Sequence, residues 1–563
     1  MLSLQALNSK AMVQVYCKNT KESKRFPEGT SLLQMLSEFD FPCPYPIVSA
    51  KVNNVSQGLK FKVFQNKDIE YMDVREPSGR RVYCRSLSFL MFKAATDAFP
   101  GCKLYIEHPL SHGYFCHLRK EDGSAVTQED VETLKAHMQD LVYKDLPFHR
   151  YDVQTDKAIR EFRKAGYEDK VRLLETSGEA YTDYYTLGDT VDYFYGKLVP
   201  STGYLTVWDL MLYKDGILLR LPARNNPSKV ADFIEQPKTY AMFNEALQWD
   251  IIMGLSTVGD VNEAFLNGRA SELIQIAEAL QEKKIVQIAE EIDRRCRREE
   301  NPLKVVLITG PSSSGKTTFC KRLSIQLKAC GLKPMSMSTD DYFVNRADTP
   351  KFPDGSYDFD NFDTVDHALM ESDIMKLIHG QEVSVPEYNF VTGLREYNGK
   401  TLKLTEGCVL LIEGIHALNP ALTEQVPECA KFRIFINTLT STQLDDHNWI
   451  PTSDNRLLRR IVRDYNKGAF SARESISNWQ NVLRAEHKWI YPFQEMADVM
   501  FNSAYLIEFA VLKNHAEPIL RSVPQNSPEY SEAHRLLKFI HYFVPVPDKE
   551  IPATSLLREF IGG

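Results

Sequence analysis

The stretch 304–323, KVVLITGPSSSGKTTFCKRL, constrains this chain more than any other part of it. VVLIT is a short unbroken apolar run suited to a strand buried on both faces of a parallel sheet. It leads straight into Gly310-Pro311-Ser312-Ser313-Ser314-Gly315-Lys316-Thr317-Thr318, and FCKRLSIQLKAC continues as a helix. This is G-x-x-x-x-G-K-[ST] in its required setting of strand, loop and helix. The glycines let the backbone curl so that successive N–H groups, from Gly310 through Ser312, Ser313, Ser314 and Gly315 to Thr318, face phosphate oxygens. The helix N-terminus adds positive potential at the same point. Lys316 is expected to reach the β- and γ-phosphates, and the Thr317 hydroxyl to ligate Mg²⁺. The expected fold is an α/β P-loop kinase domain, a parallel sheet with flanking helices, and the expected cofactors are ATP and Mg²⁺.

Three later segments bear on what receives the phosphate. MSMSTDDYF (335–343) reads as a strand ending in Asp340-Asp341, where a carboxylate beside the loop can orient and deprotonate a hydroxyl. GSYDFDNFDTVD (355–366) is rich in carboxylates and aromatics, which suits a sugar diol with ring stacking. VSVPEYNFVTGLREY (383–397) offers Tyr388, Phe390 and Arg395 to line an acceptor pocket. CVLLIEGIHAL (408–418) reads as another buried strand, ending in Glu413, a candidate Mg²⁺ partner.

That order resembles the uridine kinase branch of the phosphoribulokinase/uridine kinase family over about 300–513. Ser338-Thr339-Asp340-Asp341-Tyr342-Phe343 matches the family's S-x-D-S/D-F/Y-Y/F, which implies Asp340 as base. Tyr357-Asp358-Phe359-Asp360-Asn361-Phe362-Asp363 matches its sugar-binding segment, which implies that Asp360 holds the ribose hydroxyls. Pro386-Glu387-Tyr388-Asn389-Phe390 follows P-x-Y-D-F, but the family's H-[ST]-R becomes Gly393-Leu394-Arg395, so the base-contacting histidine is missing. DNRLLRRIVRDYNKGAFSARES (454–475) resembles the family's lid, with Arg456, Arg459 and Arg463 on a helix and Arg473 on the following loop. Guanidinium groups there would neutralise the transferring phosphoryl.

The front of the chain resembles a different enzyme. F-x-x-G-T-S-L-L-x-x-L followed by A-K-V-N resembles a TGS domain, a β-grasp module, with Thr30 or Ser31 as helix cap. The next block resembles the editing domain of threonyl-tRNA synthetases. There, two helix histidines fall on Phe89 and Lys93, and a later Cys and His fall on Phe194 and Leu198. A metal or proton-transfer site needs imidazole and thiolate, so the resemblance implies a fold kept and a chemistry lost. His108, His112 and His117 read as ordinary strand and loop histidines without a matched carboxylate.

The expected divisions are 1–75, TGS-like; 76–225, editing-like; 226–300, a helical connector; 301–513, the kinase domain; and 514–563, a helical tail without chemistry. In the tail, Leu536, Leu537, Ile540 and Phe543 form an apolar face for another domain or a second subunit, so a homo-oligomer stays open. A net charge of −8 argues against bulk nucleic-acid binding. No apolar run approaches the roughly 18 residues that cross a bilayer, and no signal peptide is expected. Ten cysteines without CxxC spacing imply neither disulfides nor a zinc knuckle, and a cytoplasmic protein is expected. Together these features suggest ATP-dependent phosphorylation of a nucleoside 5′-hydroxyl. The alternatives are a kinase for another small hydroxyl compound, or a sensor whose front half binds RNA or a small ligand.

Overall fold

In the computed structural model, which describes residues 11–352 and 355–562, strand Val305–Thr309 is buried along its whole length at the centre of a five-stranded sheet. The order is Lys333–Ser338, Cys408–Glu413, Val305–Thr309, Lys431–Asn437 and Val499–Asn502, and every pairing is parallel. Continuous runs such as VVLIT and CVLLIE suit this position because both faces of the sheet are covered. One face carries helix Lys316–Ala329, whose Phe319, Leu323 and Leu327 meet Ile285, Ile288 and Ile292 of helix Ala270–Cys296. The other face carries helix His367–Ile378 through Met370, Ile374 and Leu377. All five strands point the same way, so the residues after Thr309, Ser338 and Glu413 emerge along one edge, where ligands of open α/β sheets bind.

The front half holds two further layers. Residues 12–72 form a sheet in which Met12–Cys17 lies parallel to Lys67–Met72 and antiparallel to Glu22–Pro27, the β-grasp arrangement. Its short helix Leu32–Leu36 is capped by Ser31 through a reciprocal capping box with Gln34. A four-stranded antiparallel sheet follows, covered by helices Pro77–Ala98 and Gln128–Tyr143.

The histidines of this region are not all ordinary. His108 is buried in strand Lys103–Leu110 with its ring 3.7 Å from that of Phe243. His117, expected to lack a carboxylate, meets Glu107 at 2.6 Å and Asp215 at 3.1 Å. Glu107 arrives by strand pairing and Asp215 from a distant turn, so neither neighbour was visible in the HPLSHGYFCH segment itself.

The two halves are joined by buried ionic groups. Lys170, 1% exposed at its side chain, lies 3.3, 3.2 and 3.1 Å from Asp169, Asp192 and Asp445. His447 Nδ1 stands 2.8 Å from Asp192. Asp445 and His447 belong to the loop after strand Lys431–Asn437, and Asp169 and Asp192 to the front half. Breaking such a buried set by removing one partner strands an uncompensated charge, so the contact specifies one docking. Three helices, Pro237–Met253, Val258–Leu266 and Ala270–Cys296, fill the connecting region. The tail's Leu536, Ile540 and Phe543 join a core shared with Tyr193, Tyr195 and Leu457, so the chain's own domains cover that apolar face. All ten cysteines are free, and no helix among the described residues is long and apolar enough to cross a membrane.

Candidate active site

The loop after Val305–Thr309 can take its shape only with glycine at two places. A Cβ on Gly310 would lie 2.2 Å from the Ile436 carbonyl oxygen, and Gly315 has φ +84°. Ser313 also turns left-handed, at φ 60°. Lys316 Nζ donates to the Gly310 and Pro311 carbonyls at 2.9 and 3.0 Å, folded back over its own loop. Burial lowers its pKa, opposed by the carboxylates of Glu413, Glu559, Asp340 and Glu486.

Those carboxylates define the electrostatics of the site. Glu413 is pushed up to about 7 by burial and by Asp340, and Asp340 is raised by burial against the pull of Lys316. Asp360 rises to about 6 through burial, with Arg460 acting the other way. Acids that face one another with too few cations are arranged for a cation or a proton to come. Glu413 Oε1 stands 3.5 Å from both the Thr317 and Ser338 hydroxyls. Among the described residues no cluster of three or more His, Cys, Asp or Glu could hold a metal by itself. A hydroxyl and one carboxylate nevertheless fit Mg²⁺, which takes the rest of its oxygens from phosphates and water. Gly414, at φ +156°, keeps Glu413 and Asp340 close: a Cβ there would come within 1.8 Å of Thr339 Oγ1.

The segments expected to receive the acceptor form hairpin Glu387–Asn389 and Leu394–Glu396 and the turn Phe362–Thr364. Tyr388 is buried, its ring edge-on to Phe343 and Phe390. Arg395 Nη1 donates to Asp366 Oδ2 at 2.8 Å. The missing histidine has a steric explanation. Gly393 has φ +73°, and a Cβ there would lie 2.8 Å from the Arg346 side chain. Arg346 also donates to the Phe390 carbonyl at 2.5 Å, so it occupies the space beside the hairpin. His416 is fully buried edge-on to Phe362, and burial pushes its pKa down to about 4. Nothing in IEGIHAL marks it, because its neighbours come from another segment.

The lid arginines differ from expectation. Arg456 and Arg459 are buried and paired: Arg456 forks onto Glu486 at 2.5 and 2.8 Å, and Arg459 pairs with Glu508. Their remaining donors brace the loop from below, at the Ser312 carbonyl (3.1 Å) and the Ser313 carbonyl (3.3 Å). Guanidinium groups neutralised and enclosed in this way position the loop. Arg463 is held by Asp464, and Arg473 lies in the first turn of helix Ala472–Trp489, 3.3 Å from Glu529 of the tail. Neither contacts the phosphate loop. Arg460 does: it donates to Ser312 Oγ at 3.1 Å and faces Asp360. The spacing R-L-x-R-R contains it, but only helix phase decides which arginine faces the loop.

The tail, expected to carry no chemistry, enters the site. Glu559 accepts from the Thr318 N–H at 3.2 Å and from its hydroxyl at 2.8 Å. The Arg459 guanidinium lies 4.7 Å from the Phe560 ring centre, and Asn466 donates to the Phe560 carbonyl at 3.1 Å. Glu486 likewise accepts the Ser312 N–H at 2.9 Å. Two amides of the phosphate loop are thus satisfied by the protein's own carboxylates.

In the front half, the four positions of the editing resemblance fall in or beside one core. Phe89 and Phe194 are in ring contact at 5.5 Å, and Leu198 is buried in the same cluster. Lys93 is clamped by Asp97 at 2.7 Å and Asp189 at 2.5 Å.

Residues 305–506 match the model of the Phosphoribulokinase / Uridine kinase family. With the sheet order and loop described above, this part of the chain is a P-loop kinase domain. The N-terminal part is similar to threonine–tRNA ligases. The ligase of Carboxydothermus hydrogenoformans is 28% identical over 191 residues, 34% of this chain and 30% of the ligase. That of Syntrophotalea carbinolica is 30% identical over 188 residues, 33% of this chain and 29% of the ligase. The chain therefore spans less than a third of the length of these relatives. Among solved structures, a putative fructose transport system kinase from Silicibacter aligns at TM-score 0.31 and 17% identity, covering 38% of this chain and 98% of that one. A possible uridine kinase from Bacillus stearothermophilus aligns at 0.27 and 19%, covering 38% and 100%.

Proposed function

We propose that the protein transfers the γ-phosphoryl of ATP to the 5′-hydroxyl of a nucleoside. The observation that carries this reading is the convergence of Asp340, Asp360 and Glu413, with raised pKa values, around Lys316 and the loop amides. The loop N–H groups and Lys316 bind the triphosphate. Thr317 and Glu413 would hold Mg²⁺, which when bound offsets charge on the phosphate oxygens. Asp340 takes the proton of the attacking hydroxyl, and its raised pKa makes it a better base than an ordinary aspartate. Asp360 grips the ribose diol, Arg460 faces the transferring group, and Arg456 and Arg459 keep the loop in place. Because the charges are already in position, little reorganisation is needed as the phosphoryl moves.

Arg346 and Gly393 leave no imidazole on the hairpin to read a base edge, so base discrimination is expected to be weak. The deciding experiment is a panel of nucleosides and simple sugars assayed for ADP release, with Lys316→Ala as control. Turnover of nucleosides that the control lacks supports the reading. Turnover confined to non-nucleoside hydroxyl compounds would replace it with the second kinase reading, and ATP hydrolysis indifferent to every acceptor would sink both.

A further inference from the structure

Where the front half meets the kinase domain, a cleft of about 280 Å³ is lined by three arginines and two histidines and by no carboxylate. Arg80 comes from helix Pro77–Ala98, His112 from the turn before strand Gly113–Arg119, and Arg224 from the segment after strand Gly216–Arg220. Arg456 and His487 enter from helices Thr452–Asn466 and Ala472–Trp489 of the other side. Trp449 and Tyr114, with ring centres 5.0 Å apart, form an apolar wall.

Like charges brought together across an interface repel, and these groups are poorly served by the protein itself. Arg224 pairs with no group among the described residues. Arg80 donates one N–H to the Pro222 carbonyl at 2.9 Å, while its Nη1 is buried without a partner, as is Nε of Arg456. Only Arg456 has a carboxylate, Glu486. Burial, then Arg224, His112 and Arg456, pushes His487 down to about 4, and burial with Arg224 and Arg80 lowers His112, which only Asp232 opposes. Arg224 is exposed at the rim of the cleft, whereas Nη1 of Arg80 and Nε of Arg456 are buried donors, and donors left unmade in this way cost free energy unless something fills them.

We propose that this cleft binds a small phosphate-bearing molecule, gripped by Arg80 and Arg224 from the front half and by Arg456 from the kinase domain. A phosphate matches the planar donor forks of guanidinium groups two oxygens at a time, and its double charge answers Arg80 and Arg224, the two arginines of the cleft without a carboxylate. The hydroxyls of Ser111, Thr452 and Ser453 add neutral donors, and the Trp449 wall accommodates an apolar body. The cleft admits a small molecule and is too confined for a folded nucleic acid. It is separate from the phosphate loop, although Arg456 touches both.

The test is equilibrium dialysis of full-length Lys316→Ala protein with radiolabelled inorganic phosphate, the substitution weakening the loop as a competing site. Phosphate should bind, and adding Arg224→Ala should weaken that site by about tenfold, with Arg224→Glu removing it. Arg80→Ala is a second, independent way to weaken it. Arg224 has no internal partner, so melting curves of its variants should superimpose on the parent. Absence of binding up to about 10 mM phosphate, or affinity untouched by both Arg224 variants and by Arg80→Ala, would overturn the proposal.

Discussion

The kinase domain and the editing-like domain pose the same question with opposite answers. In each, a few positions that resemblance marks as chemical are brought to one place by the fold. In the kinase domain those positions hold Lys316, Asp340, Asp360 and Glu413, whose carboxylates sit in an environment that disfavours their charge. In the front half they hold Phe89 and Phe194, in tilted ring contact in the core, Leu198 beside them, and Lys93 neutralised by two aspartates. A site is electrostatically unsatisfied and waits for a ligand, whereas a retired site has been filled until nothing is missing. The front half meets the kinase domain through the buried set of Lys170, Asp192 and Asp445.

Substitutions on the two sides should therefore fail in different ways. Asp340→Asn is expected to lower kcat by about 10²–10⁴-fold while nucleotide affinity and melting temperature hold or rise. Steady-state kinetics with a nucleotide titration reads both, and a change confined to the acceptor KM would move the base to Asp341. Phe89→Ala should do the reverse, costing about 3–5 kcal/mol of stability in denaturant unfolding with unchanged turnover per folded molecule. If it instead abolished turnover in folded protein, the contrast between the halves would collapse. On the same reasoning the front half should retain no stoichiometric zinc and hydrolyse no mischarged tRNA. Metal analysis of the intact protein and a deacylation assay check this.

A smaller effect is expected from the tail. Glu559 occupies donors that a nucleotide's phosphates need, so Glu559→Ala should tighten ATP binding by roughly tenfold, the worth of one charge-assisted hydrogen bond of about 1.5 kcal/mol. Weaker binding would make the tail a support for the loop and not its competitor. The smallest effect is a pH dependence. Glu413, with its pKa raised to about 7, is strained when ionised, so its contribution to stability is present at low pH and lost as pH rises through about 7. The melting temperature of nucleotide-free protein should fall from about pH 4.5 to about pH 7 and level off above, and Glu413→Gln should flatten that slope. An equal slope in the variant would assign it to other acids, Asp360 first.

Much of this molecule is local and therefore legible in the chain. VVLITGPSSSGKTT specifies a buried strand, a glycine-dependent loop and a helix start within a dozen residues, because backbone sterics and hydrogen bonding act over that distance. Glu413 could be marked because it ends a recognisable apolar strand. The neighbouring strand stops at Ser338, so Asp340, expected at its end, lies in the turn Thr339–Tyr342 just beyond it, and parallel pairing brings the two ends together. The replacement of catalytic types by Phe89 and Phe194 was readable as chemistry lost, though not that their rings would touch. What stayed hidden depended on contacts between distant segments. Arg456 and Arg460 look alike in RLLRRIVRD, and helix phase against the loop makes one a buried brace and the other a facing cation. His117 acquired Asp215, and Thr318 acquired Glu559, through segments 98 and 241 residues away. Sequence determined which residues could bind phosphate, whereas tertiary structure decided which charges share a cavity, because Coulomb energy depends on separation in space and on the water excluded between them.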